Sequence, residues 1–547
     1  MTVVAAREPL PAEVDETRDP LAGLGVLVRF MLRADRVKLP MWAGGLGVFA
    51  LYVSIAVPAA YGDDVAAATQ LFNGPVGRML TGPGYGLSDP TVERLIAGGY
   101  GLYLMLVAAL MSIFLVVRHT RVEEQTGRAE LVRASVVGRH AGLVAALIVA
   151  TITNLVAGLA VFVALVAVGG FALIGSALLA SSVVGVGLAF AGIAAAAAQL
   201  SEYSRAASGL AGGVLAAAFV VRGGGDMPEE GGTLLSWFSP LGWAQQTAPY
   251  VLDRWWPLVL LAVTGLVAAA LGLVLSSRRD HGASFVPVRP GPPRARPSLG
   301  TPWGFSLRLQ RASILAWTAS LVVFGFVMGL FAEAMLDAAD DLPEVIRELF
   351  GERDVVNGYL AVMATLMAVF VAIYAALAVQ NLRSEETSGR GEALLATPMS
   401  RAGWLALTLG VTVVGVTIVS AVVGFASGLG AALTTGESGF VVDVTLAQLN
   451  TVPAVLVILG LAALLFGAWP RALPLTWGVV GYGFFAETFG ELLDLPQLAA
   501  DLNPFGHVAQ IPLEPFAAVP VVVLTVLAAA LGTAGVVLLG RREYAAV

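Results

Sequence analysis

Cysteine is absent from this chain, and lysine nearly so: Lys38 is the only lysine among 31 basic residues. Without cysteine there are no disulfides, thiolate nucleophiles, iron–sulfur clusters or sulfur-built zinc sites. Without further lysines there is no P-loop, because that loop needs a lysine, followed by Ser or Thr, on the β- and γ-phosphates, and Lys38 is followed by Leu39 and Pro40. A Schiff-base lysine is disfavoured on the same ground. The four histidines (His119, His140, His281, His507) are too scattered to suggest a metal cluster. Charge is scarce as well, at 13% of 547 residues, about half of the ~25% usual in soluble domains. What fills the space is apolar: 57% of residues are hydrophobic, 63 more are glycine, and mean hydropathy is +0.83. Several apolar runs are long enough to cross a bilayer core of ~30 Å. A soluble enzyme, a nucleic-acid module, a disordered scaffold and a secreted disulfide domain are all excluded. The composition predicts an all-α polytopic membrane protein.

Twelve spans are expected, near 38–60, 95–117, 141–169, 171–199, 206–221 and 256–276, then 312–332, 356–381, 402–433, 445–468, 473–488 and 516–540. Small residues dominate most of them, which lets helices approach closely in lipid. With the N-terminus placed in the cytoplasm, the cytoplasmic side receives 25 basic and 15 acidic residues and the opposite side 6 and 23. That asymmetry follows the positive-inside rule and puts both termini in the cytoplasm. Residues 1–20 are polar and acidic and read as a disordered tail, with no signal peptide. In 21–37, Leu21, Leu24, Val28, Met31 and Leu32 share a helical face opposite Arg29, Arg33 and Arg36, the pattern of a helix lying in the membrane interface; a simple extension of the first span is the alternative.

The strongest signal is internal duplication. At an offset of 262 residues, 121–139 and 383–401 share Arg121/Arg383, Glu123/Glu385, Glu124/Glu386, Gly127/Gly389, Arg128/Arg390, Glu130/Glu392 and Arg139/Arg401. Weaker matches surround them. Arg33, Arg36 and Trp42 recur as Arg308, Arg311 and Trp317; Pro240 and Gly242 recur as Pro504 and Gly506; Arg205 corresponds to Arg471. The chain therefore divides into a tail (1–20), a first six-span half (21–277), a Pro/Arg-rich extended linker (278–302) and a second six-span half (303–547), the halves forming parallel repeats, each expected to open with an interfacial elbow helix. The i,i+4 spacing of Glu124/Arg128 and of Glu386/Arg390 predicts helix-supporting pairs, and Gly127 and Gly389 predict bends. A self-satisfied charged turn is the plain reading. Duplication favours a role needed once per half, such as docking two copies of a partner.

Interface helix, charged E-E-x-[ST]-G-R-x-E loop after the second span and proline-containing segment before the sixth together resemble the membrane subunit of type-two ABC exporters. Two such halves in one chain are most similar to actinomycete permeases of the tetronasin and polyketide-antibiotic exporter group. The resemblance spans 21–543. It implies that Glu123, Glu124, Gly127, Arg128 and Glu130, with Glu385, Glu386, Gly389, Arg390 and Glu392, form coupling helices that transmit closure of separate ATPase subunits to the spans. It further implies two copies of an ABC ATPase (identical or different) as partners, ATP and magnesium bound there and no cofactor or metal on this chain, a cell-membrane location, lipophilic drugs or lipids as cargo, and no nucleic acid. The chain itself would be a transport subunit and not an enzyme.

Cargo would pass by alternating access. Aromatic stripes at helical spacing offer pathway candidates: Tyr100, Tyr103 and Phe114 on the second span, Tyr359, Phe370 and Tyr374 on the eighth. Ordinary packing between helices or against lipid is the competing reading of both stripes. The external segments 223–255 and 489–515 hold Trp237, Trp243 and Phe505 and suggest interfacial or re-entrant pieces. The acidic loop 333–354 reads as a solvated charged face. Two other functions stay open: an ion-coupled secondary transporter, which would want ionisable groups at mid-membrane, and a membrane-embedded lipid-modifying enzyme, which would want a catalytic cluster near one face.

Overall fold

The computed structural model describes residues 19–61, 65–134, 136–279, 285, 293–338, 355–489 and 496–542. Most of the tail and of the acidic loop, and residues 280–284 and 286–292 of the linker, lie outside these residues. Among the described residues there are helices and turns and no strand. Eleven helices among the described residues are long and apolar enough to cross a membrane. The chain folds as two compact units, Met1–Pro290 and Gly291–Val547, each with its own apolar core.

The first unit opens with an elbow helix, Leu24–Ala34. Leu27 and Met31 are buried, with Leu24, Val28 and Leu32 packed beside them, which is the apolar face expected from the sequence, widened by Leu27. Six long helices follow: Lys38–Tyr61, Val92–Gln125, Ala141–Val168, Leu173–Leu200, Ser204–Asp226 and Pro257–Arg278. In the second unit they are Pro302–Leu330, Val355–Thr387, Arg401–Thr435, Phe440–Ala468, Leu475–Phe489 and Ala518–Arg541. Its fifth helix has 15 described residues.

The expectation of an elbow helix before each half holds only in the first. In the second, the equivalent segment runs straight into the first long helix, a single helix of 29 residues. Proline explains the difference. The Pro40 ring cannot share a helix with the carbonyl of Arg36, and its nitrogen donates nothing, so the chain breaks at Asp35 and restarts. The residue aligned with Pro40 in the second half is Leu315, which imposes no break.

In both units the fourth and sixth long helices meet through glycines. A Cβ on Gly192 would collide with the carbonyl of Gly265, and one on Gly272 would sit 2.9 Å from the Ala195 backbone. In the second unit Gly460 lies against Ala528, where a Cβ would come within 2.7 Å of the carbonyl oxygen, and Gly535 lies against Ala463. Only hydrogen at these positions permits backbones so close, a packing mode suited to lipid, where dispersion contacts replace the hydrophobic drive.

Before the sixth helix of the first unit the chain forms a short helical piece. Leu234–Phe238 is a 3₁₀ turn and Pro240–Gln245 a helix capped by the Ser239 hydroxyl. Trp237 stacks on Trp256 at 5.1 Å, and the Trp243 indole donates to the Trp237 carbonyl at 2.6 Å. The buried Ser236 hydroxyl donates to Asp226 at 2.5 Å. Nearby, burial pushes the Tyr250 phenol up to about 12, with the Ser176 bond acting the other way, so this hydroxyl stays protonated and keeps its 2.8 Å bond to Ser176. In the second unit Phe505 is buried in the core and not placed in an exposed belt.

Candidate functional site

The duplicated charged motif lies at the same place in each unit, at the end of the second long helix. In the first unit that helix widens into a π turn at Arg118–Val122 before the motif; the aligned stretch 380–384 is regular α-helix. Gly127 and Gly389 then take left-handed conformations, φ +72° and +73°, and each starts a one-and-a-half-turn helix, Arg128–Arg133 and Arg390–Leu395. A Cβ at either glycine would meet nothing within 4 Å. Glycine is needed for the conformation and not for space.

The ion pairs differ from those the spacing suggests. The left-handed residue interrupts the helical register, so Glu124 does not face Arg128, nor Glu386 Arg390. Across the bend Arg128 lies 3.8 Å from Glu123, and Arg390 grips Glu385 with two bonds of 2.9 and 3.0 Å. That grip raises the Arg390 pKa above its usual value, so its charge is fixed.

Glu124 and Glu386 turn inward instead. Arg121 holds the Glu124 carboxylate at 2.7 Å, and Arg279 holds it with bonds of 2.6 and 3.1 Å. Arg279 also donates to Gln199 at 2.7 Å, and Arg121 to the Ala198 carbonyl. In the second unit Arg542 lies 2.5 Å from Glu386, whose side chain is 3% exposed, and Arg383 lies at 3.8 Å. Arg542 donates further to the Phe466 carbonyl at 3.2 Å and sits over the Phe466 ring. One carboxylate in each unit thus joins the ends of the second, fourth and sixth long helices.

Arg279 and Arg542 are the residues that motif reasoning passed over. Their signal is in the sequence: Arg278-Arg279-Asp280 and Arg541-Arg542-Glu543 stand 263 residues apart, each just after the last span of a half.

A further cluster is confined to the first unit. The Asp35 carboxylate, wholly buried, takes 2.9 Å contacts from Arg118 and His119. The aligned residues of the second half are Gln310, Gln380 and Asn381, all neutral, and Gln310 there bonds Thr412 at 2.9 Å. Beside the motif a cavity of about 770 Å³ opens between the elbow helix and the bend, lined by Met31, Arg118, Glu123, Val137, Arg139 and Ser276. In the second unit one of about 660 Å³ borders Glu392, Leu395, Met399, Arg401 and Gly540.

The outer face of each short helix is open. Arg128, Glu130 and Leu131 are exposed in the first unit, Leu131 to 77%, and Arg390 and Glu392 in the second. The aromatic stripes are not equivalent. Tyr103 and Phe114 are exposed, and Tyr100 packs edge-on against Phe72. Tyr359 is buried, its hydroxyl on the Met328 carbonyl at 2.8 Å; Phe370 packs edge-on against Phe324; and Tyr374 is buried against the close approach of Gly415.

Two units of membrane-length helices, each carrying the same charged bend, define a polytopic membrane protein of duplicated design. Residues 299–539 match the family described as the multidrug efflux system permease Rv1217c, C-terminal domain. The whole chain is 36% identical over 558 residues to the multidrug efflux system permease protein Rv1217c of Mycobacterium tuberculosis (strain ATCC 25618 / H37Rv), covering 99% of both. The chain belongs to this family of multidrug efflux permeases.

Proposed function

We propose that the chain is the membrane-spanning subunit of an ATP-driven ABC exporter that moves lipophilic small molecules out of the cell by alternating access. Separate ATPase subunits would dock on the two short helices after Gly127 and Gly389. The observation that carries this is the repetition of one exposed, glycine-set knob at the same place in both units. Two equivalent knobs suit a two-fold pair of partners, and a chain with no P-loop of its own needs such partners to use ATP. Export of drugs follows from the likeness to a multidrug efflux permease. The ATPase pair would close on ATP and drive the knobs together, and the cell membrane with both termini in the cytoplasm is the setting that the charge asymmetry supports.

The exposed residues of the knobs are the ones to test. In mild detergent, the tagged wild-type chain should bring down an ATP-hydrolysing subunit. Changing Arg128, Glu130, Leu131, Arg390 and Glu392 together to serine should release it while the chain still elutes as a single species. If no nucleotide-hydrolysing partner is recovered and an ion gradient alone drives flux in liposomes, the reading fails.

A further inference from the structure

We infer that Arg279 and Arg542 are positioning residues that fasten the sixth long helix of each unit to its knob, so that displacement of a docked ATPase is passed to that helix. This deepens, and rests on, the reading that ATPases dock at the knobs.

Three observations carry it. Glu124 and Glu386 lie three residues before the glycines that set the bends, so they move with the base of each knob. Arg279 and Arg542 are the residues directly after the sixth helices, Pro257–Arg278 and Ala518–Arg541, so they move with the end of those helices. The joint between them is tight and largely withdrawn from solvent, at 2.6 Å in one unit and 2.5 Å in the other, with no side chain in it more than 19% exposed.

The joint also stands twice, although its surroundings have diverged. The carbonyl near the end of the fourth helix is bonded by Arg121 in the first unit (Ala198) and by Arg542 in the second (Phe466). What recurs is the carboxylate of the motif on the arginine of the sixth helix. A buried ion pair is a poor way to gain stability, since well-packed apolar residues serve as well or better. Its advantage is direction: a guanidinium on a carboxylate holds one geometry and resists being pulled apart.

The test uses the full chain with its co-purified ATPase, reconstituted in liposomes. The native chain has no cysteine, so a cysteine placed at Val259 or Val519 reports alone. Both sites are exposed and lie at the starts of the sixth helices, far from the knobs. Maleimide labelling is compared without nucleotide and with ATP and orthovanadate, which traps the closed ATPase. With the joints intact, trapping should change the labelling rate at both sites by about fivefold or more, the range of ordinary coupling energies. Arg279→Gln should abolish the change at Val259→Cys alone, and Arg542→Gln the change at Val519→Cys alone. Arg279→Lys and Arg542→Lys, which keep the charge but not the two-pronged grip, should retain part of it, and they decide the matter should either glutamine variant fail to fold.

Several results overturn the inference. Unchanged nucleotide response in the glutamine variants, or no response with the joints intact, sinks it while leaving ATPase docking in place. Loss of the ATPase from the Arg279→Gln complex makes the joint a docking element instead. Failure of the unmodified chain to bring down any ATPase sinks the docking reading itself, and that is seen before any variant is made.

Discussion

At the scale of single residues, the two bends depend on a backbone conformation that side chains dislike. Gly127 and Gly389 stand at φ near +72° with free space around them. Alanine there would clash with nothing, yet holding the left-handed form costs about 1–2 kcal/mol per residue. If docking needs both bends as they stand, Gly127→Ala with Gly389→Ala should weaken ATPase binding about 30–900-fold, the factor that about 2–4 kcal/mol represents. Asparagine tolerates the conformation better and should lose less. A pull-down titration with the three chains in parallel measures this, and equal binding by all three would show that the bend is incidental. These glycines were legible in the sequence because duplication singled them out. The ion pairs beside them were not, because i,i+4 spacing presumes an unbroken helix and the left-handed residue breaks it.

At the scale of elements, the elbow of the first unit is fixed by one buried acid. Asp35 sits at the break that Pro40 imposes and answers the cationic Arg118, with the His119 ring 2.9 Å away. The second unit manages the aligned position with neutral hydrogen bonds from Gln310. Bonds to charged groups are worth about 1.5–3 kcal/mol and neutral ones about 0.5–1.5. Asp35→Ala should therefore lower the thermal midpoint in detergent clearly more than Gln310→Ala does; a larger loss from Gln310→Ala would refute the assignment. The helices themselves were plain from hydropathy, since runs of twenty apolar residues leave little choice. Their joints were harder. Pro40 announces the elbow break, and Leu315 its absence in the second half, but the π turn at Arg118–Val122 has no signature in composition or period. Arg279 and Arg542 were hidden differently, in a dipeptide that charge counting assigns to the linker and the tail.

At the scale of the whole molecule, the charge asymmetry makes a claim about sidedness that the cysteine-free sequence allows to be checked cleanly. Glu130→Cys on the first knob should be protected from a membrane-impermeant maleimide in intact cells and labelled after permeabilisation. Glu229→Cys, exposed just before the 3₁₀ turn Leu234–Phe238, should be labelled in intact cells. The reverse pattern would invert the topology and remove the knobs from the compartment that holds ATP. The duplication was the most legible feature at this scale, and its departures were the least: one half keeps a separate elbow and a buried acid, the other a continuous helix and amides. Two copies of one plan have thus become non-interchangeable parts.

The glycine contacts between the fourth and sixth helices have a mechanical meaning. Ordinary helix pairs touch through side chains that can change rotamer and so absorb small displacements. Where Gly192 meets Gly265, and Gly535 meets Ala463, backbone rests on backbone and nothing is left to yield. The pair behaves as a stiff strut without slack. The 22 residues of Pro257–Arg278 span about 33 Å at 1.5 Å each, so a tug at Arg279 reaches the far side of the bilayer with almost none of its travel lost on the way.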